Sequence, residues 1–141
     1  MQKVMITCVL LLISVLSIQA QEKQSHTVTV TISGMNVDSG NVYVGIYDSE
    51  ATFLETPYKG AIAKVSKKKA TAIFRGLEKG VYAVSVFHDE NNNKKMDTNF
   101  IGIPKEPTGC SNGAKGFMGP PKYKNAKFKV IKSMVIPVEV E

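Results

Sequence analysis

Hydrophobic and polar residues alternate in short runs along most of the chain after residue 26, and turn residues separate the runs. In the first run, 27–32, Val28, Val30 and Ile32 share one side and threonines share the other. Because successive side chains of a strand point to opposite faces, this pattern indicates a strand with one buried face. Several short strands of this kind, at this spacing, predict an all-β sandwich or barrel.

The remaining predicted strands follow the same rule and cover residues 41–48, 61–65, 70–74, 80–87, 126–130 and 134–140. Runs 61–65 and 70–74 predict a hairpin whose tip is the lysine triplet 67–69. Run 80–87 is apolar on both faces, which predicts a central strand.

Residues 88–124 break the alternation. This segment is polar and rich in glycine, proline and asparagine, with a short apolar interruption at 100–103. A loop this long in a small domain is usually functional or disordered. Its apolar residues favour burial, so we expect partial order there, with burial of Phe100, Ile103, Phe117, Met118 and Tyr123. The predicted fold is thus one antiparallel sandwich with a long Gly/Pro/Asn-rich loop region.

The first twenty residues have the pattern of a cleavable export signal. Lys3 gives a positive start, residues 4–18 are mostly apolar, and Ala20 offers a small residue at a cleavage position. The apolar stretch is short for a membrane span, which needs roughly 20 apolar residues. We therefore predict a signal peptide over 1–20, a single domain over 21–141, and export to the periplasm or the cell exterior, with no integral membrane span after cleavage.

Composition excludes several classes of protein. After signal cleavage Cys110 is the one remaining cysteine, which excludes an intramolecular disulfide and any cysteine-based zinc or redox motif. Loss of Lys3 lowers the formal net charge from +6 to +5. No platform of interleaved basic and aromatic residues is visible, so we predict no nucleic-acid partner.

One polar run has the spacing of a calcium loop. Oxygen-bearing side chains occupy alternate positions, and a main-chain carbonyl lies between them, giving the candidate ligands Asp89, Asn91, Asn93, Lys95 and Asp97. Calcium takes six to eight oxygen ligands from carboxylates, amides and carbonyls. Two positions depart from the helix-flanked calcium loop: Lys94 replaces its glycine and Phe100 its bidentate glutamate. The alternative is a turn in which Asx side chains cap their own backbone.

A second candidate region is the glycine- and proline-rich segment 102–121. Its backbone amides could converge on a ligand, or the segment could be a rigid cover over one end of the sandwich. It lacks the lysine–serine ending of a phosphate-binding loop. Catalysis has a weaker basis, because neighbouring strand residues such as His88 and Asp89 point to opposite faces. Ser111 and Cys110 become candidate nucleophiles only if His88 folds beside them.

Several motifs occur together in the chain: 80–91 (GVYAVSVFHDEN), Asp97, 102–106 (GIPKE), Gly109, 111–112 (SN) and 119–120 (GP). In this combination the chain resembles the bacterial family called domain of unknown function 2141. The resemblance implies an exported, immunoglobulin-like or prealbumin-like sandwich, and it implies no established activity. Cys110 departs from the aromatic residue usual in the family, whereas Asp89, Asn91 and Asp97 match its polar loop.

Together these features favour an exported, non-enzymatic binding or accessory module whose working surface lies in loops 88–121, with Ca²⁺ as the one candidate cofactor. The candidate ligand-binding side chains in those loops are His88, Glu106, Ser111 and Asn112. The predicted partner is a small molecule, a glycan or an envelope protein. Two alternatives stay open: a hydrolase that uses His88 and neighbouring carboxylates, and a purely structural envelope protein.

Overall fold

The alternating runs of the sequence form strands. A computed structural model describes residues 24–141, and the predicted signal peptide over 1–20 lies outside the described residues. The strands are β1 (His26–Ser33), β2 (Asn41–Tyr47), β3 (Lys59–Lys64), β4 (Ala70–Leu77), β5 (Gly80–Asp89), β6 (Thr108–Cys110), β7 (Phe128–Val130) and β8 (Met134–Glu139). A 3-10 turn at Ser111–Gly113 follows β6, and a short helix, α1 (Tyr123–Ala126), precedes β7.

These strands form two sheets that face each other as a sandwich, which confirms the predicted fold class. One sheet has the order β4-β1-β8, and the other has the order β3-β2-β5-β6, with β7 also paired to β5. One pairing departs from the predicted antiparallel arrangement, because β1 and β8 run parallel over 28–33 and 134–139. The first and last strands of the domain are therefore neighbours in one sheet.

The predicted hairpin of β3 and β4 is wrong. β3 pairs with β2, β4 pairs with β1, and so the chain crosses from one sheet to the other at the lysine triplet. A tight turn makes the crossing, with main-chain hydrogen bonds of 2.9 and 3.1 Å between Ser66 and Lys69. Alternation reports which face of a strand is buried, but it carries no information on which strand is the partner.

The main core lies between the sheets, where the inward faces of the strands meet. Its fully buried members include Val28, Val30, Ile32, Val42, Ile46, Leu77, Val84 and Val130. β5 is central, as predicted, because β2 flanks one side while β6 and β7 pair with the other. No helix within residues 24–141 is long and apolar enough to cross a membrane.

A smaller apolar cluster covers the outer face of β5. Ala83, Cys110 and Ala126 are buried there, and Phe53 packs edge-on against Tyr123 with ring centroids 5.6 Å apart. This cluster explains why β5 is apolar on both faces. Burial raises the pKa of the Cys110 thiol from its ordinary value of 9.0 to about 11, because the thiolate loses its hydration.

Folded protein should therefore react slowly with a thiol reagent. At pH 8 about one Cys110 side chain in a thousand is ionised, against about one in ten for an exposed thiol, so labelling should slow by about 100-fold or more. Because the unfolded thiol ionises first, stability should also fall as pH rises from 9.0 towards about 11. Labelling at pH 8 with and without urea checks the expected difference in rate. Equal labelling rates for folded and unfolded protein would contradict the burial of Cys110.

Candidate functional site in the loops after strand β5

Strand β5 ends in a buried carboxylate that turns the chain back on itself. The side chain of Asp89 is fully buried, and its oxygens accept the backbone N–H groups of Asn93 at 3.0 Å and Lys94 at 2.8 Å. A buried carboxylate is stable only when donors replace its lost water. Lys94 adopts a positive φ of 66°, so the chain makes the sharp reversal without the glycine usual there.

Asparagine side chains complete this turn. The amide oxygen of Asn91 accepts the N–H of Asn93 at 3.0 Å, and that of Asn93 accepts the N–H of Lys95 at 2.9 Å. The amide nitrogens of both asparagines donate to the carboxylate of Asp97, at 2.6 Å from Asn91 and at 3.0 and 3.1 Å from Asn93. These are the contacts of an Asx-capped turn. The structure therefore brings the five predicted calcium ligands into one hydrogen-bonded turn.

The charges of this turn limit the affinity that it could have for a cation. Within residues 24–141, no group of three or more histidine, cysteine, aspartate or glutamate side chains is placed to hold a metal ion. Two of the five candidate ligands are carboxylates, and that of Asp89 is engaged by backbone donors. The other candidate oxygens are amides and a carbonyl, which calcium accepts and which bind more weakly than carboxylates.

Glu106 ties the two ends of this polar turn together. It is 8% exposed, and its carboxylate oxygens accept the N–H groups of Glu90 at 3.2 Å and Asp97 at 3.1 Å. The N–H of Lys105 also donates to the carbonyl of Asp97 at 2.8 Å. Glu106 thus has an internal role, and its predicted contact with a ligand stays a prediction.

An apolar tip projects from the polar turn. Thr98 and Pro104 form a β-bridge at its base, and the side-chain oxygen of Asn99 accepts the N–H groups of Ile101 at 3.0 Å and Ile103 at 2.9 Å. The tip closes on itself through these bonds and leaves its apolar side chains exposed. Phe100 is 99% exposed, Ile101 64% and Ile103 53%.

A second apolar tip lies between β6 and α1. Its side chains, Phe117 and Met118, are 90% and 95% exposed. The expected burial of Phe100, Ile103, Phe117 and Met118 is therefore wrong, because each tip is a short turn whose side chains cannot reach the core. Tyr123 alone of the five is half-buried, against Phe53.

Ser111 and Asn112 anchor the second tip to the sandwich. The buried Ser111 hydroxyl accepts the N–H of Val84 at 2.9 Å and donates to the carbonyl of Ala126 at 2.6 Å. The amide of Asn112 is exposed and donates to the carbonyls of Asn125 at 3.3 Å and Lys127 at 2.9 Å. Both side chains hold the loop in place, and their direct contact with a ligand stays a prediction.

His88 is fully buried and serves the turn between β1 and β2. Its Nε2 lies 2.7 Å from the carbonyl oxygen of Ser39, and because a carbonyl only accepts, Nε2 is the donor. Its Nδ1 lies 3.8 Å from the Glu90 carboxylate and has no hydrogen-bond partner within the described residues. Neither ring nitrogen is hydrogen-bonded to Ser111, so within residues 24–141 His88 does not form the pair with Ser111 that would make this serine a candidate nucleophile.

The alternation of the sequence does not predict strand β6. Only three residues long, it pairs with β5 through Ser85, Val86 and Phe87. Thr108 and Glu141 also exchange main-chain hydrogen bonds of 3.1 Å, which joins β6 to the C-terminus. At Gly109 an added Cβ would lie 2.4 Å from the carbonyl oxygen of Glu139, so glycine is required for this close approach. Gly109 is the one signal of this strand in the sequence, and a single glycine does not specify a strand.

Comparison with known proteins gives a family and no activity. No curated protein and no solved structure matches the chain significantly. The family model described as an uncharacterised protein conserved in bacteria matches residues 30–136, which include β2 to β7 in full and parts of β1 and β8. The sandwich and both candidate loops lie within that match. The chain therefore belongs to the bacterial family DUF2141.

Proposed function

We propose that this protein is an exported, non-enzymatic binding or accessory module whose working surface is formed by the loops over 88–121. One observation carries the proposal. The three most exposed large hydrophobic side chains of residues 24–141 are Phe100, Met118 and Phe117, and all three lie on these loops. Single exposed apolar residues are common, whereas exposed apolar side chains that are grouped together mark contact surfaces, and these loops group theirs at two tips.

The hydrogen bonds beneath the first tip support this interpretation. The side-chain oxygens of Asp89, Asn99 and Glu106 accept hydrogen bonds from backbone N–H groups of the loop. A loop held in this way loses less conformational entropy when it binds, because its shape is already fixed. The polar candidates of the sequence thus support the working surface, and the apolar tips supply the contact.

The partner class remains as the sequence suggested: a small molecule, a glycan or an envelope protein. Tips that expose phenylalanine with isoleucine, or phenylalanine with methionine, favour a partner with an apolar or aromatic face over a small polar ligand. A purely structural envelope protein would bury these tips permanently, whereas a binding module would cover them only in the complex.

Photocrosslinking in the native host tests the proposal. A photoreactive residue is placed at Phe100 or Phe117, and at the control positions Ile62 and Ile131, which are 64% and 65% exposed but lie outside the loops. We expect specific adducts from positions 100 and 117 and none from the controls, on protein whose mass shows processing at or near Gln21. Equal adducts from all four positions, or none from the tips, would contradict the proposal.

We further propose a weak calcium site in the turn of Asp89, Asn91, Asn93, Lys95 and Asp97. The supporting observation is the positive φ of Lys94, which gives this chain the reversal that calcium loops make with glycine. A cation would have to displace the amide nitrogens of Asn91 and Asn93 from the Asp97 carboxylate. With two carboxylates the dissociation constant should fall at about 10⁻⁴–10⁻³ M, as in extracellular modules.

Thermal unfolding with calcium or chelator checks this site. At about 100 times its dissociation constant, calcium should stabilise the fold by about 2.7 kcal/mol. Magnesium should do much less, because it requires near-ideal octahedral geometry. Asp97→Asn should remove the calcium effect, whereas Asp48→Asn, at an exposed position after β2, should keep it. The same melting temperature with calcium and with chelator in the unmodified protein would show a turn without a calcium site.

A further inference from the structure

The second apolar tip lies in the most basic part of the chain. Residues 107–138 contain six lysines and no aspartate or glutamate. Phe117, Lys115, Lys122 and Lys124 line one recess of about 330 Å³, together with Pro120 and Asn125. The recess therefore combines positive charge with the exposed apolar pair at 117–118. We call residues 115–124 the basic tip.

Two of the three lysines at the basic tip are not paired with a carboxylate within residues 24–141. Lys115 is paired with the Glu141 carboxylate at 2.7 Å. Lys122 and Lys124 are exposed and form no ion pair within residues 24–141. The segment after β7 has two glutamates within the described residues, Glu139 and Glu141, and Lys115 pairs with the second.

We propose that the basic tip docks on the surface of a lipid bilayer that contains anionic lipids. Lys122 and Lys124 contact headgroup phosphates, and Phe117 and Met118 enter the boundary between headgroups and acyl chains. The inference rests on the proposed function, and at this tip it replaces the partner classes given there with a lipid surface.

Charge and apolarity together favour a bilayer. Each lysine near an anionic surface raises the binding constant about fivefold. Apolar side chains then bind at the boundary between headgroups and acyl chains. An acidic peptide or polysaccharide would use the lysines but would leave Phe117 and Met118 in water. An apolar protein groove would cover the phenylalanine and methionine but would desolvate two unpaired lysines, which is costly.

The first tip fits this chemistry less well. Lys94, Lys95 and Lys105 lie near it, but Asp97 and the half-exposed Glu90 belong to the same loop. The bilayer proposal is therefore confined to the basic tip, and the Phe100 tip is left for another contact.

Vesicle binding tests the proposal with the processed chain from Gln21, which contains every described residue and so the complete core. We compare neutral phosphatidylcholine vesicles with vesicles that also hold about 30% phosphatidylglycerol, a fraction chosen to give a strongly negative surface. The protein should co-sediment with the anionic vesicles and much less with the neutral ones, and 0.5 M salt should weaken binding because salt screens the lysines.

Two double variants separate the two contributions. Lys122→Gln with Lys124→Gln should weaken binding by about 25-fold, and Phe117→Ser with Met118→Ser by about tenfold or more. The matched controls are Lys67→Gln with Lys68→Gln in the turn before β4, and Ile131→Ser after β7, which should bind as the unmodified protein does. All these positions are exposed, so folding should be unaffected, and thermal unfolding verifies that.

A tryptophan reporter locates the contact directly, because the chain has no tryptophan of its own. The emission of Phe117→Trp should shift to the blue on anionic vesicles, and that of Ile131→Trp should not. Absent binding, or equal shifts at both positions, would overturn the bilayer proposal. If position 117 nevertheless crosslinks to a host protein, the proposed binding function stands and the partner is a protein. If position 117 neither binds vesicles nor crosslinks, both proposals fail at this tip.

Discussion

Replacing Ile46 with alanine should lower the free energy of unfolding by about 2–5 kcal/mol, from lost burial and the cavity left behind. Ile46 is fully buried on β2, within the main core between the sheets. Since β2 joins β3 to the central β5, the core around Ile46 has little freedom to collapse into the space. Urea unfolding followed by circular dichroism measures the change.

The matched control for this truncation is Ile62→Ala on the neighbouring strand β3. Ile62 is 64% exposed, so the same chemical change should stay within about 0.5 kcal/mol. Similar losses from the two variants would mean that the inward and outward faces of the second sheet are wrongly assigned.

Replacing Asp89 with alanine should cost about 2–4 kcal/mol, because two backbone N–H groups lose a charged acceptor. These are the N–H groups of Asn93 and Lys94, at the reversal that begins the long loop. Asn91 also accepts from Asn93, so the loss should centre on Lys94 and on the buried space that the carboxylate leaves. Urea unfolding again gives the free energy.

Two variants show whether the cost comes from these hydrogen bonds. Asp89→Asn keeps one oxygen acceptor and should lose roughly half as much as Asp89→Ala. Asp48→Ala removes an exposed carboxylate and should stay within about 0.5 kcal/mol. If Asp89→Ala is as mild as Asp48→Ala, the carboxylate does not organise the loop.

Seven of the eight described strands were predictable because alternation is a local property. The fully buried positions of β1 are the ones that the sequence pattern places on one face. Partners were not predictable in the same way. Nothing in the runs of β3 and β4 shows that they join different sheets, and nothing in β8 shows that it runs parallel to β1. Pairing depends on where distant strands meet, and local spacing does not record that.

The candidate site was predictable in its polar half only. The spacing of Asp89, Asn91, Asn93 and Asp97 located a tight turn, which the structure contains. The exposure of Phe100 was not predictable, because apolar residues favour burial by default. It follows from Asn99, whose oxygen closes the tip through Ile101 and Ile103 and so keeps the phenylalanine away from the core.

The polar side chains of the long loop hold its apolar tip exposed to water in a fixed conformation. Amide hydrogen exchange measured by NMR provides the test. The N–H groups of Lys94 and Asp97, bonded to Asp89 and Glu106, should exchange at least about tenfold more slowly than that of Phe100, which has no hydrogen-bond partner within the described residues. If all three exchange at the rate of an unstructured chain, the loop is not held and the account is contradicted.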